Sequence, residues 1–174
     1  MRQALVNAFE RDILNCLTET NDVLIEVYDR YDCIPAEKRC YIKTEENEVV
    51  HFELNNPTQA SVNFVAIDNC ILQSDDLSRC DFAIGNFQKL YFVEIKQVKT
   101  NQRSNAKEKA IQQLGSTISI FKKIIDLDNT ELIAVICLNV KQVHPIRTAT
   151  STAKMVAFKD NYNAILMEGK SATF

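Results

Sequence analysis

The segment from residue 79 to residue 98, RCDFAIGNFQKLYFVEIKQV, constrains the fold most, because an aspartate, a glutamate and a lysine interrupt the two apolar runs on either side of its central loop. A four-residue loop over 86–89 would fold it into an antiparallel hairpin of two strands, about 80–84 and 90–97. Successive side chains of a strand point to opposite faces, so the apolar run places apolar residues on both faces of the second strand. The pattern therefore predicts a central strand that is covered on both sides.

The register of this hairpin brings its charges together. With the loop over 86–89, Asp81 lies opposite Glu94. Directly opposed residues have Cβ atoms about 5 Å apart. Lys96 shares the face of Glu94, because side chains two positions apart in a strand point to the same side. The sequence thus predicts that Asp81, Glu94 and Lys96 converge on one spot, and a register slip of one residue would separate them.

Two neighbouring carboxylates in apolar surroundings repel each other, and Lys96 can compensate only one of them. A divalent cation, Mg²⁺ or Mn²⁺, would compensate both if it were bound by Asp81, Glu94 and the backbone carbonyl of Ile95. Such an ion stabilises developing negative charge and lowers the pKa of a bound water, which is the chemistry that cuts phosphodiester bonds. The alternative is that the three charges form a structural ion-pair triad.

The rest of the chain alternates between helical and strand patterns. The predicted elements are a helix over 3–17, strands over 23–29, 39–43, 48–54 and 62–67, the hairpin, a helix over 105–126, a buried strand over 131–139 and an edge strand over 163–169. This order predicts an α/β (α+β) fold with a mixed β-sheet flanked by helices. We expect one domain over 1–174, with a core of about 62–139 and an N-terminal strand elaboration of about 23–54.

Two further expectations concern local structure. Asn105 and Glu108 have the spacing of a capping box at the start of the second helix. Residues 142–154 are expected to be irregular, and His51 is expected to lie at the surface on the polar side of its strand.

The cysteines and the apolar runs bear on location. None of the six cysteines forms a CxxC pair, so they are expected to be buried thiols rather than a disulfide framework. No run approaches the roughly 18 apolar residues of a membrane span. The N-terminus also lacks the apolar stretch of a signal peptide. We therefore expect a cytoplasmic protein with no membrane partner.

Charge is distributed unevenly along the chain. Residues 1–80 carry 7 Lys and Arg against 15 Asp and Glu, whereas residues 81–174 carry 13 against 8. The basic second half could accept a polyanion. The candidates for phosphate contacts are the basic residues that follow the hairpin, Lys99, Arg103, Lys107 and Lys109. A solvated helix start is the alternative.

The pattern Asp81-x12-Glu94-Ile95-Lys96 resembles the D…(D/E)xK signature of the PD-(D/E)xK nuclease superfamily, which has the restriction-endonuclease-like fold. The core of that fold is a helix, then strands, a helix and a strand. The resemblance covers about residues 62–139. Cys80 stands where the family often has proline, and this departure is common variation.

The resemblance implies roles for individual residues. Asp81 and Glu94 would bind the metal, and Lys96 would be the catalytic lysine. Gln113, with Gln112 as the second choice, would match a glutamine that many members place on the following helix. Glu10 would match the acid that some members contribute from the first helix. No cysteine cluster lies near the C-terminus, so no iron–sulfur cluster is expected.

The sequence therefore predicts a Mg²⁺- or Mn²⁺-dependent nuclease that acts on nucleic acid, with DNA as the expected substrate. A homodimer is expected by analogy with nucleases that cut both strands. The alternative is a catalytically inactive protein of the same fold that binds nucleic acid or another protein.

Overall fold

The computed structural model describes residues 1–9, 13–30, 38–72, 78–98, 102–139 and 149–174, without the side chains of 139 and 149–151. Its helices are α1 (Arg2–Ala8), α2 (Arg103–Ile124) and α3 (Ala149–Tyr162), with a 3₁₀ turn over Ile13–Cys16. Its strands are β1 (Leu17–Thr20), β2 (Leu24–Asp29), β3 (Cys40–Ile42), β4 (Phe52–Asn55), β5 (Val62–Ala66), β6 (Phe82–Gly85), β7 (Lys89–Gln97), β8 (Glu131–Asn139), β9 (Ile165–Glu168) and β10 (Ser171–Thr173).

The larger sheet has six strands in the order β1-β5-β6-β7-β8-β9. It is antiparallel from β1 to β7, and β8 and β9 then run parallel to β7. The predicted hairpin register is confirmed, because Gly85 pairs with Leu90 and Phe82 with Val93. Gly85 has a φ of +150°, and a Cβ there would lie 2.1 Å from the Lys89 carbonyl oxygen, so the tight end of the hairpin requires glycine.

The smaller sheet covers one face of the larger one. Its order is β10-β4-β2-β3, so the predicted N-terminal elaboration supplies three of its four strands. Phe52 packs against Phe82 across the two sheets, with ring centroids 5.7 Å apart. The Tyr91 hydroxyl also donates to the Thr173 carbonyl at 2.5 Å. These contacts place Phe82, Tyr91 and their neighbours in the layer between the sheets.

Helix α2 covers the opposite face of the larger sheet. Phe121 on α2 packs against Phe92 on β7, with ring centroids 5.1 Å apart. Leu114 and Ile118 on the same helix are fully buried. Since Phe92 and Glu94 are two positions apart, Glu94 points to the helix side of the sheet. The predicted α/β (α+β) fold with a mixed β-sheet and helices is confirmed, and a second mixed sheet adds a layer that was not predicted.

Three local predictions were wrong. The helix over 3–17 ends at Ala8 in α1, and Leu17 instead begins β1 because it pairs with Val65 of β5. Helix α2 begins at Arg103 with no side-chain cap, so the Asn105 capping box does not form. The region over 142–154 is helical from 149 onward as the start of α3, and its earlier part lies outside the described residues.

His51 was expected at the surface but is buried, with 6% of its area exposed. The smaller sheet packs against the larger one at this point, and the Cys137 thiol of β8 donates to the His51 carbonyl at 3.1 Å. The polar side chain just before β4 is therefore enclosed here between the two sheets.

The prediction that all cysteines are thiols was wrong for one pair. Cys16 and Cys70 form a disulfide that joins the 3₁₀ turn before β1 to the segment after β5. β1 and β5 are neighbours, so sheet pairing brings the two cysteines together. Cys40, Cys80 and Cys137 are buried thiols, as predicted. Disulfides are typical of oxidising compartments and rare in the cytoplasm, so the disulfide does not support the predicted cytoplasmic location, which stays a prediction.

Among the helices of the described residues, none has the length and apolar character needed to span a membrane.

Candidate active site

The structure brings the three predicted charges of the hairpin together. Asp81 lies just before β6, and its N–H donates to the carbonyl of Val93, the residue that pairs with Phe82, at 3.2 Å. The charges of Glu94 and Lys96 both act on its carboxylate. The Lys96 ammonium forms an ion pair with Glu94 Oε1. β7 is the middle of the three strands β6, β7 and β8, so Glu94 belongs to a well-covered part of the sheet, whereas Asp81 lies at its edge, just before β6.

Glu94 is a buried carboxylate that is only partly compensated. Its side chain is 1% exposed, and Oε2 has no hydrogen-bond partner within the described part of the chain. Burial raises the pKa of Glu94 to about 7, although the Lys96 ammonium acts in the opposite direction. At neutral pH the folded protein thus holds a carboxyl group close to its protonation midpoint, and a further cation would favour the ionised form.

The negative charge of Asp81 is also only partly compensated by its surroundings. Its Oδ2 accepts a hydrogen bond from the Ile95 N–H at 2.6 Å, so the carboxylate is oriented by the backbone of the partner strand. Loss of solvation, and then the charge of Glu94, raise the pKa of Asp81 well above its usual range despite that hydrogen bond. Asp81 is partly exposed, which leaves the group accessible from the surface.

Helix α2 supports the backbone just before Asp81. The Thr117 hydroxyl accepts from the Cys80 N–H at 2.8 Å and donates to the Gln113 carbonyl at 2.9 Å. The Gln113 amide donates to the Arg79 carbonyl at 2.7 Å. The Gln113 amide therefore contacts the main chain of the segment that leads into Asp81 and β6.

Thr117→Val is expected to lower the free energy of unfolding by about 1–3 kcal/mol. Thr117 is fully buried, so the substitution leaves the Cys80 N–H without an acceptor in a dry environment. Ser119→Ala is the matched control, because Ser119 makes the same bond within the helix, to the Gly115 carbonyl, at 2.9 Å. Urea unfolding of both variants measures the difference, and equal losses would contradict this role for Thr117.

The oxygen atoms of Asp81, Glu94 and the nearby backbone suit a hard divalent cation, but they supply few protein ligands. Among the described residues, no group of three or more His, Cys, Asp and Glu side chains could hold a metal ion. An ion at this site would depend on Glu94 Oε2, the Asp81 carboxylate, a backbone carbonyl such as that of Ile95, and water. Two carboxylates with open positions are typical of Mg²⁺ sites. The unpartnered oxygen of Glu94 is the observation that makes the set fit.

Two further acids lie near the site, and sequence reasoning did not assign them to it. Asp68 follows β5, and its N–H donates to the Asp81 carbonyl at 3.2 Å. Its Oδ1 pairs with Nε of the buried Arg79 at 2.5 Å. Asp29, at the end of β2, contributes with Asp68 to the raised pKa of Glu94. Their only signal in the sequence is that each is an aspartate at the end of a strand.

The predicted phosphate-binding residues have different surroundings. Arg103 and Lys107 both form ion pairs with Glu168, at 2.6 Å and 2.5 Å. Lys109 is exposed. Gln112, the second choice for the helix glutamine, is also exposed. Lys99 and Glu10 lie outside the described residues.

The buried thiols are poor nucleophiles. Burial raises the pKa of Cys137 to about 12 and raises that of Cys80, beside Asp81, well above its usual range. A thiol rather than a thiolate is therefore the stable form of both residues at neutral pH. The carboxylates and Lys96 remain the reactive groups of this region.

No protein-family model, curated protein or solved structure matches the chain. The geometry and chemistry of the site therefore carry the functional proposal.

Proposed function

We propose that the protein is a metal-dependent nuclease that hydrolyses phosphodiester bonds in DNA. One observation carries the proposal: the buried Glu94 carboxylate has one oxygen paired with Lys96 and the other without a hydrogen-bond partner among the described residues. A second carboxylate, Asp81, accepts from the N–H of the next residue, Ile95, and is close enough for the charge of Glu94 to raise its pKa. A purely structural triad would leave the Glu94 oxygen desolvated and unsatisfied, which is costly.

The order of elements also supports the proposal. Helix α1, the strands β5, β6 and β7, the helix α2 and the strand β8 occur in the order of the PD-(D/E)xK core, with β1 to β4 inserted between α1 and β5. The three residues that match the D…(D/E)xK signature, Asp81, Glu94 and Lys96, lie at one end of the β6–β7 pair.

Each residue of the site has a distinct role in the proposed reaction. Asp81 and Glu94 would hold Mg²⁺ or Mn²⁺, which when bound supplies Lewis-acid stabilisation of the charge on the phosphoryl group. Lys96 is 24% exposed, and its ammonium has three N–H donors, of which Glu94 needs one. The others can orient an attacking water and stabilise the negative charge that develops on the phosphate oxygens.

Gln113 acts as a positioning residue in this proposal. Its amide holds the Arg79 carbonyl, and Thr117 on the next turn holds the Cys80 N–H. Together they fix the main chain that carries Asp81, and fixed geometry is what the reaction needs.

Calorimetric titration with Mn²⁺ is expected to show a metal site that is lost in Asp81→Asn, because the variant removes one of the two charged ligands. Asp160→Asn is the matched control, since Asp160 is an exposed aspartate on α3. Digestion of plasmid DNA with Mg²⁺ or Mn²⁺, and its loss with EDTA, tests the activity itself.

Equal Mn²⁺ binding by the protein and by Asp81→Asn would contradict the proposed site. DNA binding that needs no metal, with no cleavage of duplex, single-stranded or branched DNA, would favour the inactive nucleic-acid-binding alternative.

A further inference from the structure

We infer that Arg103 and Lys107 form a binding site for a backbone phosphate of the nucleic acid, and that the Glu168 carboxylate occupies this site in the unbound protein as an internal competitor. The inference rests on the proposed function, which makes nucleic acid the ligand. It adds Glu168 as a residue that limits how tightly the nucleic acid binds.

The contacts of Glu168 are those of an anion in a binding site. Its Oε1 accepts from Arg103 at 2.6 Å and its Oε2 from Lys107 at 2.5 Å, so each oxygen has its own cation. Arg103 and Lys107 are four positions apart on α2, which places them on one face of the helix. A carboxylate and a phosphate are the anions that arginine binds best.

One donor of this site is left unused by the carboxylate. Nε of Arg103 is buried, and it has no hydrogen-bond partner among the residues that the structure describes. Glu168 has only two oxygens, and both are engaged. A phosphodiester group has two non-bridging oxygens, which share one negative charge, and two ester oxygens, so it can contact Lys107 and more than one nitrogen of Arg103. The unpartnered Nε thus favours a ligand with more acceptors than Glu168.

The position of Glu168 relative to Glu94 suits a strand that crosses the candidate active site. Glu94 pairs with Ile136 of β8, and Ile136 pairs with Glu168 of β9. The three side chains therefore form a row on the helix side of the sheet. Two strand spacings separate Glu94 from Glu168, roughly 10 Å.

Exchange of Glu168 for a phosphate is energetically feasible. Burial acts to raise the pKa of Glu168, but the hydrogen bonds from Lys107 and Arg103 outweigh it and lower the pKa, so the carboxylate is ionised at neutral pH. The three side chains are 27–33% exposed. Ion pairs at such partly exposed positions are weak and are screened by salt, so a polyanion can displace one of the partners.

The test is DNA binding by Glu168→Gln, measured in EDTA by the anisotropy of a short labelled duplex and of the matching single strand. We expect about fivefold tighter binding than by the unmodified protein. The log–log dependence on salt should become steeper by about one unit, because one more phosphate contact forms. Adding Arg103→Gln and Lys107→Gln to Glu168→Gln should remove the gain.

Glu131→Gln is the matched control for the lost charge. Glu131 also lies on a strand of the larger sheet and pairs with a lysine, Lys89, at 3.7 Å. It is five residues before Ile136 on β8, roughly 17 Å away along the strand. A nonspecific effect of net charge would appear in both variants, whereas the inferred competition appears in Glu168→Gln alone.

Binding by Glu168→Gln that is no tighter than by Glu131→Gln would overturn the inference, even if metal-dependent cleavage is observed. Tighter binding without any cleavage would support the inference and contradict the nuclease proposal. If Glu168→Gln does not fold, Arg103→Gln decides: unchanged affinity and unchanged salt dependence would overturn the phosphate site.

Discussion

Glu94→Gln is expected to lower the rate of metal-dependent DNA cleavage by at least about a thousandfold while the protein remains folded. Removal of one group that stabilises charge in the transition state typically costs a factor of about 10²–10³. Glu94→Gln removes a charged metal ligand and also the ion-pair partner that places Lys96. Both losses act on the same transition state.

Glutamine has nearly the same shape as glutamate, so the substitution creates no cavity in the sheet. Glu94 is 1% exposed, and a neutral amide costs less to bury there than a carboxylate. The loss of cleavage should therefore occur without a loss of stability, which separates this variant from one that merely unfolds.

A plasmid-nicking assay with Mg²⁺ and with Mn²⁺ measures the effect, on Glu94→Gln and Glu131→Gln purified in parallel. Glu131→Gln should retain full activity, since Glu131 lies at the other end of the sheet. Cleavage by folded Glu94→Gln at more than about a tenth of the original rate would reject the site and point to a contaminating nuclease.

In the absence of divalent metal, the stability of the protein is expected to fall by roughly 3 kcal/mol as the pH rises from below 4.5 to above 7. The cause is Glu94, whose pKa is 4.5 in an unstructured chain and about 7 in the fold. The folded state binds more protons than the unfolded state between these values. The free energy of unfolding therefore decreases as the pH rises through this window.

Two other groups contribute to the same pH window. The raised pKa of Asp81 acts in the same direction as Glu94. Burial lowers the pKa of His51, so the folded state binds fewer protons there and stability falls as the pH drops below the usual value of 6.5. His51 thus opposes Glu94, and a variant is needed to separate them.

The measurement is urea unfolding in EDTA at pH 5 and pH 7.5, on the unmodified protein and on Glu94→Gln. The difference between the two pH values should be smaller or reversed in the variant, because glutamine does not titrate. Saturating Mn²⁺ should also reduce it, since metal binding requires the ionised carboxylates. The same pH dependence in both proteins would show that Glu94 has an ordinary pKa.

Secondary structure could be predicted where a local pattern agrees with its surroundings. Strands β5, β7 and β8 are apolar runs typical of strands covered on both faces, and helix α2 has an apolar stripe with a period of 3.6 residues; the structure confirms all four. The predicted N-terminal helix was wrong beyond Ala8, because Ile13–Cys16 form a 3₁₀ turn and Leu17 pairs with Val65 of β5. Tertiary pairing outweighs a weak local preference.

The hairpin register and the shared face of Glu94 and Lys96 follow from the sequence, because the length of the loop sets the register and side chains two positions apart in a strand share a face. The packing of the sheets and helices sets the surroundings of these charges, including the hydrogen bond by which the Ile95 N–H holds Asp81. The hydrogen bond from Cys80 to Thr117 and the ion pair of Arg103 with Glu168 join residues that are far apart along the chain. The unpartnered Glu94 oxygen likewise depends on which residues pack around it. Such contacts depend on how sheets and helices pack, and no local periodicity encodes that packing.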